Sequence, residues 1–93
     1  MMMFEYIAED GKVTFDKLHE QYMMYADGEN AGDDEFACFY MHAQDHSSLD
    51  NVCHVDMYEY NTFVDSMNTG GMAALNSFYC TEGMIAWVYN FCC

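Results

Sequence analysis

Apolar and aromatic side chains recur at steps of three and four residues along most of the chain, and this periodicity is the strongest constraint on its fold. An α-helix completes a turn in 3.6 residues, so such steps gather the apolar side chains on one helical face. The 93 residues contain no proline that would interrupt a helix. The sequence therefore predicts a mainly α-helical fold with four apolar stripes: Phe15, Leu18, Tyr22 and Tyr25; Phe36, Phe39, Tyr40 and Ala43; Tyr60, Phe63, Val64 and Met67; and Met84, Trp87, Val88 and Phe91.

Turn and cap residues separate these stripes. The pair Asp10-Gly11, the segment "ADGEN" at 26–30 and "NTGG" at 68–71 are typical of chain reversals and helix ends. Thr14 and Asp33 are predicted N-caps, since their side-chain oxygens can accept from the free N–H groups of a first turn. Short strands are predicted at "KVTF" and near Val52. One or two helices are predicted in the last 22 residues.

Charge excludes several classes of partner. The chain has two Lys and Arg residues against sixteen Asp and Glu, a net charge of −14, so it would repel nucleic-acid phosphates and anionic lipid headgroups. Metal cations, basic peptides or a basic protein suit such a surface, although the charge could also serve only to keep an apolar chain soluble. The composition, 53% hydrophobic, still predicts a folded single domain over 1–93.

Targeting signals and cysteines leave the compartment open. No signal peptide is legible, and the longest apolar run, "MIAWVY" at 84–89, is too short to span a bilayer. The default expectation is cytoplasmic, or extracellular if the chain is a processed form. An odd number of cysteines, five, leaves at least one thiol without an intrachain partner. Cys38 is expected in the core, and an exposed or intermolecular sulfur is expected in the tail, at Cys92 or Cys93.

Two acidic stretches, "EDGKVTFDKL" at 9–18 and "DHSSLDNVCHVDMYEY" at 45–60, precede helical stripes in the same way. Their order resembles a degenerate EF-hand pair over about 5–67, with 68–93 as an apolar helical tail. The resemblance implies a helical lobe in which two loops pair through a short β ribbon, and it places Val13 and Val52 at the pairing position of each loop.

The same resemblance implies one weak calcium site. An EF-hand loop supplies oxygen ligands from fixed positions of twelve residues. In the second loop these positions fall on Asp45, Ser47, Asn51 through its carbonyl, and Asp56. The first loop is expected to be empty, because Lys17 stands where a bidentate glutamate belongs.

Other metal and catalytic chemistry has less support. His42 and His46, four residues apart on a predicted helix and near Asp45, Cys53 and His54, could share zinc, but no paired Cys-x-x-Cys is present. Cys53 and His54 with Asp56 have the residue types of a nucleophilic site, yet adjacent residues of a strand point to opposite faces. No enzyme is predicted.

The combined reading is a small acidic, non-enzymatic binding or regulatory module. Its methionines are expected to line an apolar groove that holds a partner's basic or amphipathic helix, or the protein's own tail. They are Met23, Met24, Met41, Met57, Met67, Met72 and Met84. The alternative is a structural subunit that self-assembles through its aromatic tail, with Met84, Trp87 and Phe91 at the contact and the terminal cysteines as covalent links.

Calcium titration tests the loop assignment. Because position 5 is Leu49 and Asp56 is shorter than glutamate, calorimetry should detect at most one site, with a Kd of about 10⁻⁴ M or weaker. Asp45→Ala should abolish that binding. Two tight sites would contradict the role given to Lys17.

Overall fold

A computed structural model describes residues 3–26, 32–69 and 80–93. Within these residues the protein is mainly helical, with one two-stranded antiparallel sheet, as the sequence predicts. The elements in chain order are α1 (Phe4–Ile7), β1 (Val13–Thr14), α2 (Phe15–Tyr25), α3 (Asp33–Ala43), β2 (His54–Val55), α4 (Met57–Thr69) and α5 (Glu82–Cys92).

Local turn and cap chemistry explains how the first helix pair begins. Asp10 and Gly11 both have positive φ, 54° and 74°, and the backbones of Glu9 and Lys12 close the turn with N–H···O bonds of 2.8 and 3.1 Å. Two consecutive positive φ angles are the signature of a type I′ turn, for which Asp-Gly is well suited. Thr14 then caps α2 as predicted, its Oγ1 accepting from the Lys17 N–H at 3.2 Å.

Several predicted boundaries need correction or lie outside the description. Gly32, not Asp33, is the N-cap of α3, and Asp33 is its first helical residue, where its charge still faces the positive end of the helix dipole. The tail contains one helix among the described residues, α5, and α4 ends at Thr69. Gly28, Asn30, Met72, Leu75 and Phe78 lie outside the described residues.

The two strands pair between the loops that precede α2 and α4. Val13 is opposite Val55 and Thr14 is opposite His54, with an added bond from the Phe15 N–H to the Cys53 carbonyl at 2.7 Å. The predicted pairing of Val13 with Val52 is therefore wrong by three residues. Val52 is instead fully buried, and its carbonyl accepts a hydrogen bond from the Tyr40 hydroxyl at 2.7 Å.

Helix α3 is the centre of the core. Six consecutive residues, Phe36 to Met41, are buried, so this helix is covered on every side along that stretch. The ring of Phe36 lies 4.8 to 5.9 Å from the rings of five neighbours, a range in which aromatic pairs attract each other. These neighbours are Phe15, His19, Tyr22, Tyr40 and Phe63.

Helix α5 docks on its own domain, so the expectation that the apolar tail would be docked is confirmed for one of its faces. Val88 is fully buried, and Met84, Ile85, Tyr89 and Cys92 pack against the core. A disulfide joins Cys92 to Cys53, just before β2. Cys38 is buried as predicted, and the exposed tail thiol is Cys93. Among the described residues, no helix is long and apolar enough to cross a membrane.

The buried tyrosines predict a loss of stability in alkali. Burial, and then the charges of Glu35 and Cys38, raise the pKa of Tyr22 from 10.0 to about 12. A raised folded-state pKa means that the unfolded chain releases its proton first, so the stabilisation is complete below pH 10 and is lost as the pH rises towards 12. Burial shifts the pKa of Tyr40 and Tyr89 in the same direction.

We expect Tyr22 to account for about 1 kcal/mol of the fall in unfolding free energy between roughly pH 9 and pH 11. Urea unfolding at the two pH values measures the fall, and Tyr22→Phe, which cannot ionise, is the matched comparison. The variant should lose less stability over this interval. An equal loss in both proteins would show that Tyr22 does not carry this pH dependence.

Candidate functional site

The loop between α3 and β2 carries the predicted metal ligands, and buried side chains of α3 fix its course. The Gln44 amide nitrogen donates to the carbonyls of Asn51 at 2.6 Å and His54 at 3.3 Å. With the bond from Tyr40 to Val52, three loop carbonyls are held by two side chains at the C-terminal end of α3. The loop is therefore anchored to the core from its inner side.

The four predicted ligands lie in or next to this loop, and three of them accept hydrogen bonds from the protein itself. Asp45 Oδ1 accepts from the Ser47 N–H at 3.2 Å, and side-chain and backbone hydrogen bonds from Ser47 lower the pKa of Asp45. The Asn51 carbonyl accepts from Gln44 and from the His54 N–H. Asp56 Oδ1 accepts from the Glu59 N–H at 2.8 Å. A cation would compete with these bonds for the same oxygens.

Glu59 links both ends of the loop. Its Oε1 accepts from the Asp56 N–H at 2.9 Å, and its Oε2 accepts from the Asp45 N–H at 2.5 Å. Together with the reverse bond from Glu59 to Asp56, this is a capping box at the start of α4. The reading from sequence missed it, although the spacing Asp-x-x-Glu before an apolar stripe is the signal that could have found it.

The strand register changes how this loop compares with an EF-hand. The residue that pairs with Val13 is Val55, and if Val55 takes the eighth loop position, the twelfth falls on Glu59 rather than on Asp56. Within the part of the chain that the structure describes, no three His, Cys, Asp or Glu side chains are grouped closely enough to hold a metal ion. Calcium at Asp45, Ser47, Asn51 and Asp56 stays a prediction.

The zinc and nucleophile alternatives meet specific obstacles. Helix α3 ends at Ala43, so His42 is on the helix while His46 lies beyond it, and the shared helical face assumed for these two imidazoles does not exist. Cys53 is bonded to Cys92 and therefore has no thiol to act as a nucleophile in this state.

An apolar groove of about 680 Å³ runs between α1 and α4. This volume is within the range of ligand-binding clefts. The rings of Phe4 and Tyr60, 5.4 Å apart, join the two helices along it. Methionines supply much of the remaining apolar lining, and Met3 and Met57 are more than half exposed. The apolar lining residues are Met3, Phe4, Met57, Tyr60, Val64 and Met67.

The groove is acidic at its edges. Glu5 on α1 and Asp65 on α4 both line it, and no cationic side chain does. The two lysines, which are all the Lys and Arg in the chain, lie in a separate cavity of about 370 Å³. Glu9 and Asp10 share that second cavity with Lys12, Lys17 and His54, so carboxylates offset its positive charge.

The methionines predicted to line a groove divide among three environments. Met57 and Met67 line the α1–α4 groove, together with Met3, which the prediction did not include. Met41 is buried in α3, and Met84 packs against the core. Met23 and Met24 are exposed on α2. Sequence alone could not separate these groups, because methionine serves equally as core filler and as groove lining.

The outer face of α5 presents a second apolar surface. Trp87 and Phe91 are 36% and 45% exposed, and their rings stack with centroids 5.5 Å apart and planes inclined by 20°. Met84 lies on the docked side instead. The tail thus combines a face that belongs to the core with an aromatic pair that faces outward.

No protein-family model, curated protein or solved structure matches this chain. What the protein binds has to be inferred from its own residues, charges and contacts.

Proposed function

We propose that the protein is a small, acidic, non-enzymatic binding module that takes a basic amphipathic helix of a partner protein into the α1–α4 groove. The single observation that carries this proposal is the groove itself, an apolar trough with exposed methionines and with carboxylates, but no cation, at its edges. Methionine side chains are flexible and polarizable, so they adapt to the side chains of an inserted helix.

Charge decides which kind of helix fits. A net charge of −14 repels an acidic segment and attracts a basic one, while Glu5 and Asp65 offer local partners for lysines that flank an apolar stripe. The protein's own tail is already placed elsewhere, since α5 packs with α3 and contributes no residue to the lining of the groove. The groove's occupant in this proposal is therefore a segment of another protein.

The relation to EF-hand lobes and the weak calcium site belong to the same proposal. It is supported by two loops that each precede a helix and pair through Val13 and Val55, the arrangement that the resemblance implies. In this proposal calcium would adjust the loop before α4, because Asp45 and Asp56 are both bonded to Glu59 in the first turn of that helix.

A designed peptide tests groove binding. The probe is a helical peptide of leucine and lysine with all leucines on one face, and its control has the same composition with the leucines scattered around the helix. Met57→Gln should weaken binding of the probe about tenfold, since part of a methionine burial is lost. Met24→Gln is the matched control, because Met24 is similarly exposed, 63% against 59%, but lies on α2 outside the groove.

Salt dependence tests the acidic edges. Glu5→Gln with Asp65→Asn should weaken the probe at low ionic strength and matter little at about 1 M salt, where the Debye length is about 3 Å. Calorimetric titration gives each Kd. Equal binding of the scattered peptide, or equal losses in the Met57 and Met24 variants, would refute the groove as the site.

A second candidate function is self-assembly through the outer face of α5, which the exposed stacked pair of Trp87 and Phe91 favours. If this face joins two copies, sedimentation should show a dimer in the wild type that Trp87→Gln converts to monomer. Tyr58→Gln, at an aromatic residue that is 80% exposed on α4, should leave the dimer intact. A wild type that stays monomeric at all accessible concentrations would exclude this candidate.

A further inference from the structure

The Cys38 thiol on α3 and the Cys80 thiol, which immediately precedes the N-cap of α5, lie within hydrogen-bonding reach of each other. Neither is in a disulfide, Cys38 is almost completely buried, and Cys80 is half-buried. We propose that Cys38 and Cys80 are the site of a second disulfide, formed by exchange with a small-molecule disulfide oxidant. This inference stands independently of the groove and its partner.

The position of the pair gives the cross-link a structural purpose. The existing disulfide fixes the last residue of α5, Cys92, to Cys53. Cys80 lies one residue before Thr81, whose side chain caps the same helix by accepting from the Met84 N–H at 3.3 Å. A bond from Cys80 to Cys38 would therefore tie the other end of α5 to α3, so that both ends of the helix are covalently attached to the core.

The exchange balances as two thiols plus one oxidant disulfide giving one protein disulfide and two oxidant thiols. Cys80 attacks first, since it is the more accessible sulfur, and one oxidant thiol leaves. The Cys38 sulfur then displaces the second oxidant thiol, losing its own proton. Burial raises the pKa of the Cys38 thiol, and the Cys80 contact and the charges of Glu35 and Asp34 add to this shift. The second step should accordingly be the slower one and should accelerate with rising pH.

Closure of this bond leaves one thiol in the protein. The five cysteines would form Cys53–Cys92 and Cys38–Cys80, and only the exposed Cys93 would remain free. Cys93 lies 3.4 Å from a carboxylate oxygen of Asp16, at the opposite end of α5 from Cys80. Any covalent link between two copies of the oxidised protein would then have to use Cys93.

Protease mapping of the full chain after treatment with oxidised glutathione tests the proposal. Cleavage after glutamate releases a fragment 60–82 in which Cys80 is the sole cysteine, while Cys38 and Cys53 share fragment 36–59 and the last two cysteines share 83–93. We expect fragment 60–82 to be covalently joined to 36–59 in the non-reduced digest. We also expect free thiols to fall from three to one and Tm to rise by at least about 5 °C.

Two serine variants and one control make the result decisive. Cys38→Ser and Cys80→Ser should each prevent the new link and the rise in Tm, and using both guards against misfolding of the buried variant. Cys93→Ser removes only the exposed thiol and should leave the link unchanged. A fragment 60–82 that remains free after oxidation, or that is joined to 83–93 in the wild type, would overturn the proposal.

Discussion

The burial of helix α3 is the constraint on which the rest of the structure depends. Its residues Phe36 to Met41 are covered on all sides, so other elements must supply an apolar partner in every direction. Helices α2, α4 and α5 do this with Phe15 and Tyr22, Phe63, and Val88 respectively. For a chain of 93 residues, which can bury only a modest fraction of its surface, one fully enclosed helix uses that area efficiently.

The same helix also organises the polar part of the molecule. Tyr40 and Gln44, at its C-terminal end, donate hydrogen bonds to carbonyls of the following loop, so a segment with little apolar content is held in one conformation. That loop in turn delivers β2 to β1 and positions Asp56 to cap α4. Because a buried hydroxyl or amide without a partner is costly, these bonds are both a consequence of the core and a condition for it.

Function, in our proposal, lies where this core ends. The four-residue helix α1 touches α4 through Phe4 and Tyr60, and the space left beside them is the methionine-lined groove. An acidic surface without nearby cations makes that space selective for a basic partner, whereas the aromatic pair on α5 carries no charge of its own and suits a second copy. Met57 and Trp87 thus belong to two surfaces with different chemistry, and different variants separate them.

The sequence by itself determined the elements whose causes are local. Helical spacing placed α2, α3, α4 and α5, the Asp10-Gly11 pair placed the turn, and Thr14 capped α2, because neighbours in the chain decide each of these features. Only the tertiary structure decided that Val13 pairs with Val55 and not Val52, that Cys92 joins Cys53 across 39 residues, and that Met57 lines a groove while Met41 is core. These outcomes depend on how the helices pack around α3, and similar valines, cysteines and methionines at other positions satisfy the same local pattern equally well.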